Sequence, residues 1–356
     1  MTKMIHAAVA RLLPLAAALL VAAAHASTPL PPELVDCAAI ESGDDRLACY
    51  DRILRPQSRP AAAATPAGGG QAAAAAPAVP PAPPAPPAPA AVDNGPLGER
   101  WAIDRGARIL VRPHEPTYLL VGRYSNAVNQ RPASPTRPAG PVDLGLDDLE
   151  AKYQLSFKFR LVDFDAPWAP DLWFGYTQQS HWQVYNDELS RPFRETNYAP
   201  ELILGWNPDV ALGGWRWRVA NVGLLHQSNG RSTALSRSWN RVYAQFGIER
   251  DDWLLLVRPW VRLGEDGDDD DNPDIVDYLG HGDVVLSYRW RDSVVSGKAR
   301  YNVGTGRGYV EGSWTFPLLR GLNGYLQATS GYGESLIDYN ARQTTIGLGV
   351  SLYDWQ

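Results

Sequence analysis

Residues 224–232 read LLHQSNGRS, which places His226 and Ser228 two apart. In an extended backbone that separation puts both side chains on one face. A serine hydroxyl is a poor nucleophile until a neighbouring imidazole accepts its proton, and the imidazole performs best when a third group holds one tautomer. Residues 238–248, SWNRVYAQFGI, offer that third group, because folding the hairpin about Thr233 sets Ser228 opposite Ser238 and His226 opposite Asn240. Opposed residues of antiparallel strands have Cβ atoms roughly 5 Å apart. Ser228 is therefore the candidate nucleophile, His226 the general base and then acid, and Asn240 the group that orients the ring. Gly230 brings a backbone N–H close enough to help bind an oxyanion. A His-x-Ser pair also occurs in the polar cap of a barrel rim; parity, opposition and the glycine together favour chemistry.

For these groups to meet, two neighbouring strands must present a face that is otherwise apolar. Ala220, Val222 and Leu224 share the side of His226 and Ser228, while Val242, Ala244, Phe246 and Ile248 share that of Asn240. Polar groups on such a face are costly unless they pair with one another. Asparagine in the third position orients the ring without a full negative charge, which is hard to hold beside lipid.

The same alternation runs through the chain. In QLSFKFRLV, Leu155, Phe157, Phe159 and Leu161 alternate with Ser156, Lys158 and Arg160; near the end Ile346, Leu348, Val350 and Leu352 alternate with Gly347, Gly349 and Ser351. A soluble sandwich would turn the apolar face inward, whereas an outer-membrane barrel turns it to lipid and lines its interior with the polar face. Twelve strands are expected, at 117–125, 148–162, 171–185, 199–211, 215–228, 238–252, 253–264, 276–290, 293–304, 308–318, 323–333 and 343–355. The count is even, as in bacterial barrels, and many runs reach the length a tilted strand needs to cross a bilayer. Long polar connections mostly alternate with tight ones such as GGW, RDDW, RDS and LRGL, which places the 229–237 loop outside and both termini in the periplasm. The expected fold is all-β, a twelve-stranded antiparallel transmembrane β-barrel.

Residues 1–26, with Lys3, Arg11, the run LLPLAAALLVAAA and a small-residue end at Ala26, read as a secretory signal. No later stretch reaches the roughly 18 consecutive apolar residues of a spanning helix. Cys37 and Cys49 are the two cysteines, and export to an oxidising compartment favours a disulfide between them in a periplasmic segment at 27–55. Residues 56–95, culminating in PAVPPAPPAPPAPAA, cannot bury a core and read as a polyproline-rich linker ahead of the barrel at 96–356. The formal charge of −6, without a basic patch, argues against a nucleic-acid partner. Trp (13) and Tyr (16) outnumber Phe (7), the bias expected where amphipathic rings sit at a membrane–water boundary. The acidic run Asp268–Asp271 does not match an EF-hand and reads as a solvated external loop.

Five blocks, YTQQSHWQ (176–183), RPFRETNYAPELILGW (191–206), HQSNGRSTALSRSWNR (226–241), DDNPDI (270–275) and SGYGESLIDYN (330–340), follow one known pattern. From about residue 100 onward the chain resembles the outer membrane phospholipase A family. The resemblance implies a lipid-hydrolysing barrel with His226, Ser228 and Asn240 on the catalytic triad and Gly230 on the oxyanion-hole position. It implies Ca²⁺ as cofactor, bound through the backbone carbonyl of Arg231, the hydroxyl of Ser236 and Ser190 of the partner subunit. Gln178 falls on a polar residue buried in the family's dimer interface. Thr233 departs from the acidic residue the family often has there, and the chain ends YDWQ rather than on an aromatic.

The expectation is a calcium-dependent, homodimeric outer-membrane phospholipase A1/A2 acting on membrane phospholipids that approach laterally. Two rivals make different demands. A porin-like channel predicts ion conductance indifferent to Ser228→Ala, and a non-catalytic lipid-binding barrel predicts bound lipid without turnover.

Overall fold

Strands with one apolar and one polar face can satisfy every backbone hydrogen bond and leave no open edge only by closing on themselves. The structure, a computed structural model describing residues 40, 42, 49, 95–101, 111–162, 164, 169–265 and 270–356, does this. In chain order its strands are β1 (Val111–Pro113), β2 (Thr117–Ser125), β3 (Leu149–Val162), β4 (Asp171–Trp182), β5 (Phe193–Trp206), β6 (Val210–Leu212) and β7 (Trp215–Ser228). They continue with β8 (Ser238–Arg250), β9 (Trp253–Leu263), β10 (Gly282–Trp290), β11 (Ser293–Asn302), β12 (Arg307–Leu319), β13 (Leu322–Tyr332) and β14 (Arg342–Tyr353). Every long strand pairs antiparallel with its sequence neighbour, and β14 returns to β2, with Leu348 opposite Gly122, to close a twelve-stranded barrel. The three-residue β1 and β6 pair with β3 and β7 and extend the wall at one end.

The faces divide as the alternation requires. Leu155, Leu202, Val222, Leu224, Val242, Phe246, Leu286 and Ile346 are exposed on the outer wall, while Ser156, Lys158 and Arg160 are buried inside. The lumen is not hollow. Arg123 and Lys152 meet Glu334 at 3.3 and 2.7 Å, Arg194 bridges Glu150 at 2.6 Å and Asp338 at 2.8 Å, and Arg258 reaches Asp283 at 2.8 Å. Such pairing offsets much of the cost of burying these charges. Apolar clusters flank the charged waist. One gathers Leu97, Trp101, Trp173, Val219, Leu254 and Trp355, and the other Leu225, Trp239, Trp260, Ile275, Leu279 and Leu336.

Two short helices contribute to those clusters. Helix α1 (Gly95–Arg100) inserts Leu97, whose backbone N–H donates to Glu249 at 3.0 Å. Helix α2 (Ile275–Leu279) turns Ile275 and Leu279 inward and ends at Gly280, at φ +70°.

Most strand ends fall within three residues of the sequence expectation, and two strands depart further from it. The eighth strand, expected from 276, begins at Gly282, because Ile275 and Leu279 are four apart and bury one helical face instead. The fourth, expected at 199–211, runs over Phe193–Trp206. Its first turn of sequence, FRETNY, looks like loop because it is polar, yet Arg194, Glu195 and Asn197 are buried in the charged lumen. The chain separates into two units, Met1–Ala85 and Pro86–Gln356. Cys49 is disulfide-bonded; Cys37, the expected signal at 1–26 and the expected linker up to 94 lie outside the described residues.

Candidate active site

The β7–β8 hairpin has the register that folding about Thr233 requires, with His226 opposite Asn240 and Ser228 opposite Ser238. Val222, Leu224, Val242 and Phe246 are exposed on the outer wall while Leu225, Trp239 and Tyr243 are buried inside, so strand parity turns His226, Ser228 and Asn240 outward. His226 Nδ1 and Asn240 Oδ1 are 2.8 Å apart. Ser228 is half-buried on the same face, and its hydroxyl makes no hydrogen bond among the described residues. Behind the wall, Gln227 Oε1 accepts from Trp239 Nε1 and from the Arg241 guanidinium, each at 3.0 Å, which ties the two strands together at the level of the candidate site.

The loop from 229 to 237 is closed by one residue. Asn229 is buried; its Oδ1 accepts the backbone N–H of Arg237 at 3.0 Å and its Nδ2 donates to the carbonyl of Leu235 at 2.8 Å. This wraps the chain around a 3₁₀ turn at Thr233–Leu235 and leaves Gly230 exposed at φ +63°, a conformation that favours glycine. A Cβ there would lie 3.1 Å from Tyr198 Cε2. The Arg231 guanidinium bends back to the carbonyl of Arg194 and to Glu195.

The remaining sequence candidates lie around this loop without all converging on it. Ser236 donates its hydroxyl to Asp271 Oδ2 at 2.5 Å. Ser190 sits at φ +58° in the connection between β4 and β5, at the same end of the barrel. Gln178 belongs to the outer wall, in a cross-strand row that runs through Tyr198 to Ser228. Its side chain bonds Tyr176 at 3.0 Å, Ser180 at 3.2 Å and Tyr153 at 3.4 Å, a polar patch on an otherwise apolar surface. The acidic run is not solvated as its sequence suggests: Asp270 and Asp271 are buried because each pairs with an arginine, Arg262 at 2.6 Å and Arg137 at 2.8 Å, while Asp268 and Asp269 lie outside the described residues. Among the described residues no three His, Cys, Asp or Glu side chains converge as a metal cluster.

Three residues at the site were not anticipated. Asn229 carries a signal that could have revealed it, since Asn before Gly at the end of a strand closes turns through its own side chain. Tyr198 lies next to Ser228 by register alone. Glu265, in the connection after β9, accepts from Asn240 Nδ2 at 2.9 Å. Burial and then Asp270 push its carboxyl above the ordinary range, against a smaller opposing pull from Arg262.

Comparison with known proteins adds a separate line of support. The sequence profile of the family described as Phospholipase A1 matches residues 99–352. The phospholipase A1 of Escherichia coli strain K12 is 45% identical over 207 residues, spanning 58% of this chain and 70% of its own. The crystal structure of the Salmonella typhi outer membrane phospholipase dimer with bound calcium is 37% identical and superposes with a TM-score of 0.66, covering 75% of this chain and 100% of that one. An active-site mutant of the Escherichia coli outer membrane phospholipase A, with an asparagine replaced by alanine, is 36% identical with the same coverage and a TM-score of 0.66.

Proposed function

The chain belongs to the phospholipase A1 family, and on that premise we propose that it hydrolyses acyl esters of membrane phospholipids from the outer wall of its barrel, with Ser228, His226 and Asn240 as the catalytic triad. The observation that carries this reading is the 2.8 Å contact of His226 Nδ1 with Asn240 Oδ1, on the same outward face as Ser228. A hydrogen-bonded imidazole and carboxamide on an apolar wall have little structural purpose there, whereas a lipid ester arriving in the bilayer plane would meet them directly.

The chemistry follows from the positions. Ser228 Oγ attacks the acyl carbonyl carbon as His226 takes the hydroxyl proton, and the oxyanion so formed is met by the backbone N–H of Gly230. Collapse breaks the ester bond, and the imidazolium gives its proton to the departing lysophospholipid oxygen. Water, activated by the same imidazole, then cleaves the acyl-serine and releases the fatty acid. Asn240 holds the ring through both halves.

Calcium and dimerisation belong to the same proposal. The donor set fits a hard cation: the Arg231 carbonyl and the Ser236 hydroxyl are both neutral oxygens, and the Ser236 proton is directed at Asp271, which frees the oxygen lone pairs. Ser190 of the partner subunit would complete the set, with Gln178 in the contact between protomers. Calcium, when bound, would supply positive charge beside the oxyanion. Export completes the reading: 1–26 as cleaved signal, 27–55 as a periplasmic segment with a Cys37–Cys49 disulfide, 56–95 as linker, and the barrel at 96–356 in the bacterial outer membrane.

The test is fatty-acid release from phospholipid micelles with and without EDTA. Wild-type protein should release fatty acid only with calcium, and Ser228→Ala or His226→Ala should lower kcat by about 10³-fold or more. Calcium-independent turnover that persists in both variants would overturn the mechanism. Crosslinking should show a dimer that strengthens as calcium is raised.

A further inference from the structure

We propose that Glu265 is a positioning residue for the triad, fixing the orientation of the Asn240 amide and, through it, the tautomer of His226. The inference deepens the catalytic reading above and rests on it.

A carboxamide can present either edge to an imidazole. With its oxygen toward the ring it selects the tautomer protonated at Nδ1; with its NH₂ toward the ring it selects the other, which places the proton on Nε2 and removes the base. Asn240 alone does not choose between them. A carboxylate accepts hydrogen bonds and donates none, so an amide edge facing it must be the NH₂ edge. Glu265 Oε1 lies 2.9 Å from Asn240 Nδ2, and Asn240 Oδ1 lies 2.8 Å from His226 Nδ1. The row Glu265–Asn240–His226 therefore has one consistent polarity. The proton sits on Nδ1, and the Nε2 lone pair is left to take the serine proton.

The surroundings of Glu265 fit this role. Among the described residues its only side-chain hydrogen bond is to Asn240, and it has no ion-pair partner. Arg262, which pulls on it electrostatically, is held by Asp270 at 2.6 Å, and Asp271 is held by Arg137 and Ser236. Its place in the connection beyond Leu263 also answers a problem of location. A carboxylate touching the imidazole directly would stand on the lipid-facing wall; one residue removed, at the end of the strand, it keeps water within reach while acting through a neutral amide.

The experiment uses the full chain with calcium and phospholipid micelles, comparing Glu265→Ala and Glu265→Gln with wild type, and Glu265→Ala in an Asn240→Ala background. Loss of a charge-assisted hydrogen bond predicts a kcat about tenfold lower in Glu265→Ala with KM within about twofold. Glu265→Gln, which offers both a donor and an acceptor, should fall between. The Glu265→Ala effect should vanish once Asn240 is alanine. Imidazole ¹⁵N spectra, with His226 identified by its absence in His226→Ala, should show the Nδ1-protonated tautomer in wild type and a shift toward the Nε2-protonated form in Glu265→Ala.

Wild-type kcat in Glu265→Ala, an equal loss in the Asn240→Ala background, or an unchanged tautomer would each overturn the inference. Ser228→Ala run in parallel separates the two levels. If it is inactive while Glu265→Ala is not, the positioning role alone fails; if it retains turnover, the triad reading fails and takes the positioning role with it.

Discussion

At the scale of single residues, Gly230 is the most exposed to test. Its backbone lies at φ +63°, where a side chain costs roughly 1–2 kcal/mol, and a Cβ would crowd Tyr198. Gly230→Ala should therefore displace the N–H proposed to meet the oxyanion, lowering kcat by about tenfold or more with little change in KM, as steady-state assays would show. The shared outward face of His226, Ser228 and Asn240, and the opposition of His226 to Asn240, were legible because strand parity and hairpin register depend only on counting. Asn229 was half legible, as a turn residue, though its closure of the loop depends on the carbonyl and N–H groups it finds there. Glu265 was not legible at all. It is 25 residues from Asn240, and a hydrogen bond from an irregular connection to a strand leaves no period in the sequence.

At the scale of elements, the β7–β8 hairpin holds the site only if its inner face packs. Gly223 lies opposite Tyr243, whose ring covers it: a Cβ on Gly223 would fall 2.2 Å from Tyr243 Cζ. The displaced ring would also break the bond from the Tyr243 hydroxyl to Glu201, which itself holds His114 Nε2 at 2.6 Å. Gly223→Ala should destabilise the barrel by about 1–3 kcal/mol, seen as a drop of several degrees in the temperature at which the heat-modifiable gel band converts. Strands were found wherever apolar and polar residues alternate cleanly. The start of β5 escaped because Arg194 and Glu195 look solvated until their lumenal partners are known, and α2 escaped because a single helical turn carries too little periodicity to compete with a neighbouring strand. Both errors arise where long-range contacts, not local pattern, decide the backbone.

At the scale of the whole molecule, the closed wall was readable from twelve alternating segments, but the contents of the lumen were not, because ion pairs join residues far apart in sequence. Glu334 and Asp338, in the connection between β13 and β14, illustrate the consequence. Burial alone would raise the Glu334 carboxyl; Lys152 and Arg123 outweigh it and hold that group well below the usual range, and Arg194 outweighs burial to lower that of Asp338. Because these folded-state values are depressed, their contribution to stability is complete above about pH 5 and is lost as pH falls through the folded values. Denaturant midpoints measured from pH 7 to pH 3 should fall, and Asp338→Asn should flatten part of that slope while lowering stability at pH 7. The outward placement of His226 and Asn240 has a kinetic corollary. On the proposed mechanism the enzyme draws substrate from the plane around it and samples a two-dimensional solution, so its rate should follow the mole fraction of cleavable lipid in that plane, and inert lipid mixed into the leaflet should slow it as surely as dilution slows a soluble enzyme.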